Sequence, residues 1–328
     1  MFKVLMTDSV FEDTKIEEEA LSKIDAEFIL AGNTDEATLI EKGRDCDAIL
    51  NTNAIITRKI LEECRRVKIV ARTGIGIDNV DVAAASELGV MVSNVPDYCL
   101  EEVANHTFAL FLDLNRKITF YDKLLKKPEA LPWGANTGSP VKRVSGQRFC
   151  LIGFGNIARL VATRAFAFGL VVCAYDPYVP DEVFAAQGVT RLKTIKELAT
   201  GADVLSLHIP LNEQSRGIVD MDILRLMNPT AFLINTSRGA LVNQDDLIHA
   251  LKTGVISGAA LDATAPEPLP LDSELLKMDQ VLLTPHVGFY SVEAGIDSRT
   301  KMSAEVVSVL SGGLPRSFCN RDTIINKR

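Results

Sequence analysis

The sequence contains no long apolar run and no cluster of basic residues. No stretch approaches the roughly 20 consecutive apolar residues that cross a bilayer, and the apolar run at the N-terminus is too short for a signal peptide. The formal net charge is −8 and the lysines and arginines are dispersed, which gives no electrostatic support for binding to nucleic acid or to a membrane surface. We therefore expect a protein that binds neither membranes nor nucleic acids.

Paired cysteine motifs are absent as well. The six cysteines are scattered and form no C-x-x-C pair, which excludes the common zinc and dithiol redox motifs. Several lie in apolar runs, where a thiol behaves as a small hydrophobic side chain. We expect no metal site, and a reducing, cytoplasmic setting.

Short apolar runs recur through the second half of the chain. The whole chain has 328 residues, a length that suggests two domains or one large one. The runs lie at residues 148–152, 171–175, 203–207, 231–235, 258–261 and 281–284. Helical segments separate most of them, and their continuous apolar character is typical of strands buried on both faces of a parallel sheet. Six such strands predict an α/β fold with a Rossmann doubly wound sheet.

The first hundred residues repeat this pattern on a smaller scale. Helical segments, for example 12–21 and 57–63, separate further apolar runs and predict a smaller, flavodoxin-like α/β domain. These runs lie at residues 3–7, 26–31, 48–50, 69–71 and 90–93.

Two helical segments determine how the predicted domains are connected. One long helix is expected over 100–125, and another over 292–310. If the second helix packs on the first domain, that domain is discontinuous. We then predict a Rossmann domain over 100–286, inserted in a smaller domain formed by 1–99 and 287–328.

The segment 153–158 has the sequence G-x-G-x-x-A, follows a predicted strand and begins a predicted helix. Gly153 permits the tight turn, Gly155 lets the backbone approach a pyrophosphate, and Ala158 allows close packing of helix on strand. The phosphates would meet backbone N–H groups at the helix N-terminus, those of Asn156 and Ile157 among them. The motif predicts a dinucleotide site.

Asp176 ends the next predicted strand, about 20 residues after the motif, as this kind of site requires. A carboxylate there would accept hydrogen bonds from both ribose hydroxyls and would repel a 2′-phosphate, so it predicts NAD rather than NADP. Taken alone, Asp176 could simply form a turn before Pro177.

Hydride reduction of a ketone leaves charge on the carbonyl oxygen, and a histidine can donate the proton that it needs. The sequence has four histidines. His106 and His249 lie in predicted helices and are expected to be structural or exposed. His208 ends a predicted strand and suits a wall of the cofactor site. His286 ends the last predicted strand, and we favour it as the proton donor.

Two charged residues follow neighbouring strands of the same predicted sheet. Arg238 has no acid close to it in the sequence, and its forked guanidinium suits a substrate carboxylate. Glu267 lies between two prolines and would orient the ring of His286 if the two are close. Each taken alone could equally be an ordinary surface charge.

These segments together resemble the D-isomer-specific 2-hydroxyacid dehydrogenase family over nearly the whole chain. The matching segments are residues 74–81, 153–158, 235–242, 261–268 and 284–286. The resemblance implies that His286 donates the proton, that Glu267 is its partner and that Arg238 anchors the substrate carboxylate. It also implies the D stereochemistry of the substrate. We therefore expect an NAD-dependent D-2-hydroxyacid dehydrogenase or 2-keto acid reductase that transfers a hydride at C2.

The resemblance implies further binding residues and an assembly. Gly74, Ile75 and Gly76 would offer backbone N–H groups to the substrate carboxylate, which makes the smaller domain the substrate domain. A homodimer would form through an arm over about 100–145. The residues implied to line the cofactor are Thr107, Gly153, Gly155, Asn156, Ile157, Asp176, His208, Pro210, Thr236, Asp262, His286 and Gly288.

The identity of the substrate is left open by the sequence. Phe289 and Tyr290 resemble the C-terminal-binding-protein branch of the family, and would either line the pocket or simply pack. Asn51 stands where phosphoglycerate dehydrogenases often carry an arginine, which weakens the case for a phosphorylated substrate. Trp133 would pack, reach a partner subunit or cap the pocket. The alternatives are a glyoxylate or hydroxypyruvate reductase, a phosphoglycerate dehydrogenase, and an NAD-sensing, corepressor-like binding protein.

Overall fold

The computed structural model of the protein describes residues 1–126 and 140–325 and divides into two compact units. The first unit comprises Met1–Cys99 and Tyr290–Arg328, and the second comprises Leu100–Phe289. Trp133 and part of the expected dimerisation arm lie outside the described residues.

The first unit is built on a five-stranded parallel sheet with the order β2-β1-β3-β4-β5. This is the flavodoxin-like order, and parallel neighbours require helical crossovers. The strands are β1 (Phe2–Met6), β2 (Ala26–Leu30), β3 (Ala48–Asn51), β4 (Ile69–Arg72) and β5 (Met91–Ser93). The helices between them are α1 (Lys15–Ser22), α2 (Glu36–Gly43), α3 (Arg58–Glu63) and α4 (Val82–Glu87).

The second unit carries a seven-stranded parallel sheet with the order β12-β11-β10-β9-β6-β7-β8. Its strands are β6 (Arg148–Ile152), β7 (Val171–Tyr175), β8 (Thr190–Arg191), β9 (Val204–Leu207), β10 (Phe232–Asn235), β11 (Gly258–Leu261) and β12 (Val281–Leu283). Its helices are α5 (Leu100–Arg116), α6 (Ile118–Leu125), α7 (Asn156–Ala167), α8 (Asp181–Ala186), α9 (Ile195–Ala199), α10 (Met221–Leu224) and α11 (Gln244–Thr253).

This strand order confirms the predicted Rossmann sheet, with one strand more than expected. The order reverses between β6 and β9, which is the topological switch point where ligands of such sheets bind beyond the carboxyl ends of the strands. The strand that the sequence did not predict is β8. It has two residues at the edge of the sheet, too few to produce an apolar run.

The single helix expected over 100–125 is wrong, because the chain forms α5 and α6 with a break at Lys117. Lys117 adopts a left-handed conformation with φ 58°. The carboxylate of Asp113 accepts hydrogen bonds from the amide of Thr119, at 2.7 Å, and from its hydroxyl. These side-chain contacts begin a new helix without any proline or glycine to signal the break.

The last helix, α12 (Val292–Leu310), belongs to the first unit and packs on its sheet and on α1. Its buried Arg299 donates to both carboxylate oxygens of Glu17 on α1, at 2.8 and 2.7 Å. Such a buried charge is tolerated because its partner and hydrogen bonds are in place. Within the described part of the chain, no helix is long and apolar enough to cross a membrane.

Candidate active site

The glycine loop lies between β6 and α7, at the switch point of the seven-stranded sheet. Gly153 has φ +94°, and a Cβ there would collide with the carbonyl oxygen of His208. Gly155 precedes the helix, and a Cβ there would meet no atom within 4 Å. The fold itself therefore requires glycine at 153, whereas at 155 the absent side chain leaves open space beside the first amides of α7, those of Asn156 and Ile157.

Asp176 follows β7 and lies beside the glycine loop. Its carboxylate accepts hydrogen bonds from the amides of Phe154 and Tyr178, each at 2.9 Å. Each carboxylate oxygen can accept a second hydrogen bond, so these contacts orient the group and leave capacity for ribose hydroxyls.

Two further residues expected at the cofactor are joined by their side chains. The hydroxyls of Thr107 on α5 and Thr236 after β10 lie 2.8 Å apart. Thr107 donates its proton to the carbonyl of Val103, so Thr236 is the donor to Thr107. Pro210 is exposed, and its carbonyl accepts a hydrogen bond from the hydroxyl of Ser215 at 2.8 Å.

His208 follows β9 and is half-buried, with Nε2 2.9 Å from the hydroxyl of Ser206. Desolvation lowers the pKa of His208 to about 3, so the ring is neutral at neutral pH. A neutral ring agrees with a wall residue and disagrees with a proton donor.

Arg238 lies in a tight turn after β10. The side chain of Asn235 donates to the carbonyl of Arg238 at 2.8 Å and accepts from the amide of Ser237 at 3.0 Å. A Cβ on Gly239 would collide with the backbone of Thr264, so the loops that follow β10 and β11 touch there. The sequence did not predict this role for Gly239.

Glu267 and His286 are in contact, with Oε2 of the glutamate 3.0 Å from Nδ1 of the histidine. Burial raises the pKa of Glu267, but hydrogen bonds from His286 and from the amide of Thr264, together with the charge of Arg238, lower it overall. The carboxylate is therefore ionised at neutral pH. Although Glu267 is distant from Arg238 in the sequence, the contact between the two loops brings their charges close enough to interact.

His286 itself adopts a left-handed conformation with φ 54°, which side chains other than glycine rarely do. Asp262 holds the turn. Its carbonyl accepts from the amide of His286 at 3.0 Å, and its carboxylate accepts from the amides of Val287 at 3.0 Å and Gly288 at 2.8 Å. A Cβ on Gly288 would lie 2.8 Å from Oδ2 of Asp262, so glycine is needed.

Two members of this cluster were missed from the sequence. Nε2 of His106 on α5 lies 3.0 Å from the hydroxyl of Thr284, which donates to Asp262 at 2.6 Å. His106 was expected to be structural or exposed, and Thr284 was given no role. No local signal could have found this contact, since 178 positions separate the two residues.

The predicted substrate loop lies in the first unit, after β4. Gly74 has φ +156°, and a Cβ there would collide with the guanidinium of Arg72. The carbonyl of Gly74 accepts from the amide of Val95 at 2.9 Å, and that of Ile75 accepts from the side chain of Asn94 at 2.6 Å. The amide of Gly74 also donates to the carbonyl of Arg72 at 3.1 Å, so of the three predicted donors this one is engaged within the fold.

The residues expected to select the substrate differ in their surroundings. The ring of Phe289 lies edge-on to that of His286, with centroids 6.5 Å apart. Tyr290 belongs to the first unit and is 59% exposed. The buried side chain of Asn51 accepts from the hydroxyl of Thr7 and donates to the carbonyl of Ala54, each at 3.1 Å.

Comparison with known proteins identifies the family. A family model described as "D-isomer specific 2-hydroxyacid dehydrogenase, NAD binding domain" matches residues 108–288. The D-3-phosphoglycerate dehydrogenase of Methanocaldococcus jannaschii is 36% identical over 99% of this chain, which spans 60% of that protein's length. The glyoxylate reductase of Korarchaeum cryptofilum is 32% identical over 97% of this chain and 98% of its own length.

A solved structure extends the likeness to the whole fold. The NADPH-dependent glyoxylate/hydroxypyruvate reductase of Sinorhizobium meliloti, in complex with NADP and malonate, has a TM-score of 0.89 to this chain at 26% identity. The match covers 100% of this chain and 99% of that one. The second unit thus carries an NAD-binding domain, and the chain belongs to the D-isomer specific 2-hydroxyacid dehydrogenases, a family of oxidoreductases that act on CH–OH groups.

Proposed function

We propose that the protein is an NAD-dependent D-2-hydroxyacid dehydrogenase that also runs as a 2-keto acid reductase. The observation that carries the proposal is the contact of Glu267 with His286, beside the charge of Arg238. All three residues lie beyond the carboxyl ends of strands of the sheet that also carries the glycine loop. An acid, its orienting carboxylate and a cation suit the reduction of an α-keto acid.

Each of the three residues has a distinct part in this proposal. Because Glu267 engages Nδ1 of His286, the other ring nitrogen, Nε2, is the atom that donates a proton to the carbonyl oxygen during reduction and accepts it back during oxidation. Arg238 binds the substrate carboxylate and polarises the keto group. The Gly74–Gly76 loop is proposed to bind substrate through the N–H groups of Ile75 and Gly76, since that of Gly74 donates to the carbonyl of Arg72. This role makes the first unit the proposed substrate domain.

The cofactor is proposed to be NAD(H), which when bound supplies or accepts the hydride at C2. The open space at Gly155 and the first amides of α7 suit a pyrophosphate. The carboxylate of Asp176, held beside the glycine loop, suits a free ribose and opposes a 2′-phosphate. The proposed preference therefore differs from that of the reductase of Sinorhizobium meliloti, which was solved with NADP.

The proposed substrate is a small 2-keto acid without a phosphate group. Both hydrogen-bonding ends of the Asn51 side chain are engaged within the fold, and an amide lacks the positive charge that a phosphate would favour. A phosphoglycerate dehydrogenase is the second candidate, because a relative with that name is 36% identical. A glyoxylate or hydroxypyruvate reductase is compatible with the same site.

A screen of NADH oxidation tests the proposal. The acids to compare are pyruvate, glyoxylate, hydroxypyruvate, phenylpyruvate, branched keto acids and 3-phosphohydroxypyruvate. We expect turnover of at least one unphosphorylated acid, and a loss of about 100-fold or more in kcat for His286→Ala with NADH binding nearly unchanged. Preference for the phosphorylated acid would favour the second candidate. Turnover of none, with NAD-dependent capture of a protein partner, would support a corepressor-like binding protein instead.

We further propose that the protein works as a cytoplasmic homodimer. All six cysteines are thiols, which suits a reducing compartment. The second unit leaves large apolar side chains exposed, among them Ile118, Phe166 and Phe168, and such surfaces commonly pack against a partner. Light scattering on the purified protein tests the dimer, and a mass equal to one chain of 35.8 kDa would contradict it.

A further inference from the structure

The largely buried side chain of His106 projects from α5 towards the turn that carries His286, although it does not belong to that turn. The hydroxyl of Thr284 has one proton, and donates it to Oδ1 of Asp262 at 2.6 Å. The hydroxyl oxygen can therefore only accept from Nε2 of His106, which lies 3.0 Å away. The geometry thus assigns the proton to Nε2 of His106.

The same proton also points at the carboxylate of Asp262, since Nε2 of His106 lies 3.4 Å from Oδ1. Asp262 is only 3% exposed, and burial raises its pKa. Hydrogen bonds from His106, from the hydroxyl of Thr284 and from the amides of Gly288 and Val287 oppose that effect and lower the pKa overall. The carboxylate stays ionised, and these hydrogen bonds fix the orientation of both of its oxygens.

This directed carboxylate shapes the backbone at His286. Three consecutive amides, those of His286, Val287 and Gly288, donate to the carbonyl or carboxylate of Asp262. A left-handed conformation at a residue other than glycine persists only where its surroundings fix it. The direction of the His286 ring therefore depends on how the side chain of Asp262 is oriented.

We propose that His106 is a positioning residue that orients His286 through Thr284 and Asp262. The inference rests on the proposed role of His286 in proton transfer. His106 contributes one N–H group at a fixed place, and it touches neither the carboxylate of Glu267 nor the ring of His286 in any contact that the structure describes. Its effect is therefore on the alignment of the proton donor and not on proton transfer itself.

Two substitutions of His106 separate the hydrogen bond from the volume of the ring. His106→Gln can keep an N–H group near the position of Nε2, whereas His106→Leu fills similar space without a donor. We expect His106→Leu to lower kcat about 10- to 100-fold, since small misalignments of a catalytic group have effects of this size. The KM for the keto acid and the Kd for NADH should change little. His106→Gln should restore most of the lost kcat, and His249→Leu, at an exposed position of α11, should have no effect.

A double substitution tests whether the residues act as a chain. Thr284→Val removes the bridging hydroxyl and leaves α5 untouched. The double variant His106→Leu/Thr284→Val should then have a kcat no lower than that of the slower single variant. The reason is that the effects of residues in one network are not additive. If His106→Leu fails to fold, Thr284→Val by itself tests the proposal.

Histidine ring signals in NMR spectra give a readout that does not need turnover. The His286 signal, assigned with His286→Ala, should move or broaden in His106→Leu and return in His106→Gln, while the His249 signal stays in place. The proposal is overturned if His106→Leu leaves both kcat and the His286 signal unchanged, or if His106→Gln is as impaired as His106→Leu. If the wild type reduces no keto acid but the signals behave as expected, the positioning role stands and the proposed function fails.

Discussion

Oε2 of Glu267 lies 3.0 Å from Nδ1 of His286, on the side of the imidazole ring away from Nε2. In the proposed mechanism, an ionised carboxylate at this place stabilises the protonated ring and leaves Nε2 to face the substrate. Glu267 can do so across the neutral pH range, because hydrogen bonds and the charge of Arg238 outweigh its burial and hold the pKa of its carboxyl below the usual range.

Replacing Glu267 with glutamine should lower kcat for keto acid reduction about 10- to 100-fold, as the loss of an orienting charge beside an acid–base group commonly does. The amide keeps the shape of the side chain but no longer stabilises an imidazolium. The alkaline limb of the pH–kcat profile for reduction should therefore move to lower pH. Steady-state rates between pH 5 and 9 measure this shift. An unmoved profile would show that Glu267 does not act on the proton donor.

Arg238→Lys should raise the KM for the keto acid and lower kcat/KM about 100-fold, because the ammonium keeps the charge but loses the forked, two-point geometry. The Kd for NADH should stay within about threefold, since the proposed partner is the substrate carboxylate. Arg216, an exposed arginine of the same unit, provides a control when it is replaced by lysine. An unchanged KM would remove Arg238 from substrate binding.

Alanine at the two glycines of the nucleotide loop should have opposite consequences. Gly155→Ala should leave the free energy of unfolding almost unchanged, because its Cβ meets no protein atom, yet weaken NADH binding about tenfold or more. Gly153→Ala should destabilise the fold by about 1–3 kcal/mol, since it places a Cβ at φ +94° against the carbonyl of His208. Urea unfolding and fluorescence titration with NADH measure both effects, and a strong loss of stability in Gly155→Ala would contradict the assignment.

Asp176→Ala should reduce the preference for NADH over NADPH about tenfold or more, because it removes the carboxylate that opposes a 2′-phosphate. It also removes the acceptor for the amides of Phe154 and Tyr178, so some loss of stability accompanies the change. Asp176→Asn keeps an acceptor without the charge and serves as the matched variant. Comparable kcat/KM values for both cofactors in the wild type would refute the proposed preference.

His208 should make the protein less stable in mild acid. Its pKa is lowered to about 3 in the folded protein by desolvation, whereas an unfolded chain binds this proton below about pH 6.5. The unfolded state therefore binds more protons between these values, and stability falls as the pH decreases through that window. Between pH 7 and pH 4.5, the free energy of unfolding of His208→Gln should fall by about 2 kcal/mol less than that of the wild type. Urea midpoints measure the difference, with His249→Gln as the exposed control.

The amino-acid sequence alone was sufficient for the parts that depend on local patterns. Apolar runs separated by helices indicated both parallel sheets, and strand lengths were off by only a residue or two, as at β9 and β12. The spacing of Gly153, Gly155 and Asp176 predicts the nucleotide loop, because close backbone approach and a strand end are requirements that single residue types reveal. Because Arg238, Glu267 and His286 each follow a predicted strand, the sequence indicated that all three lie at one edge of one sheet.

The tertiary structure decided what depends on side chains that meet from distant positions. The break at Lys117 arises from hydrogen bonds of Asp113, which no periodicity encodes. The left-handed turn at His286 exists because Asp262 accepts three successive amides, and His106 reaches it from 178 positions away through Thr284. Apolar patterns record which face of an element is buried, but hydrogen-bond geometry between elements is set only when they pack. The sequence therefore determined the sheet edge and its charged residues, and the packed fold determined how His286 is held there.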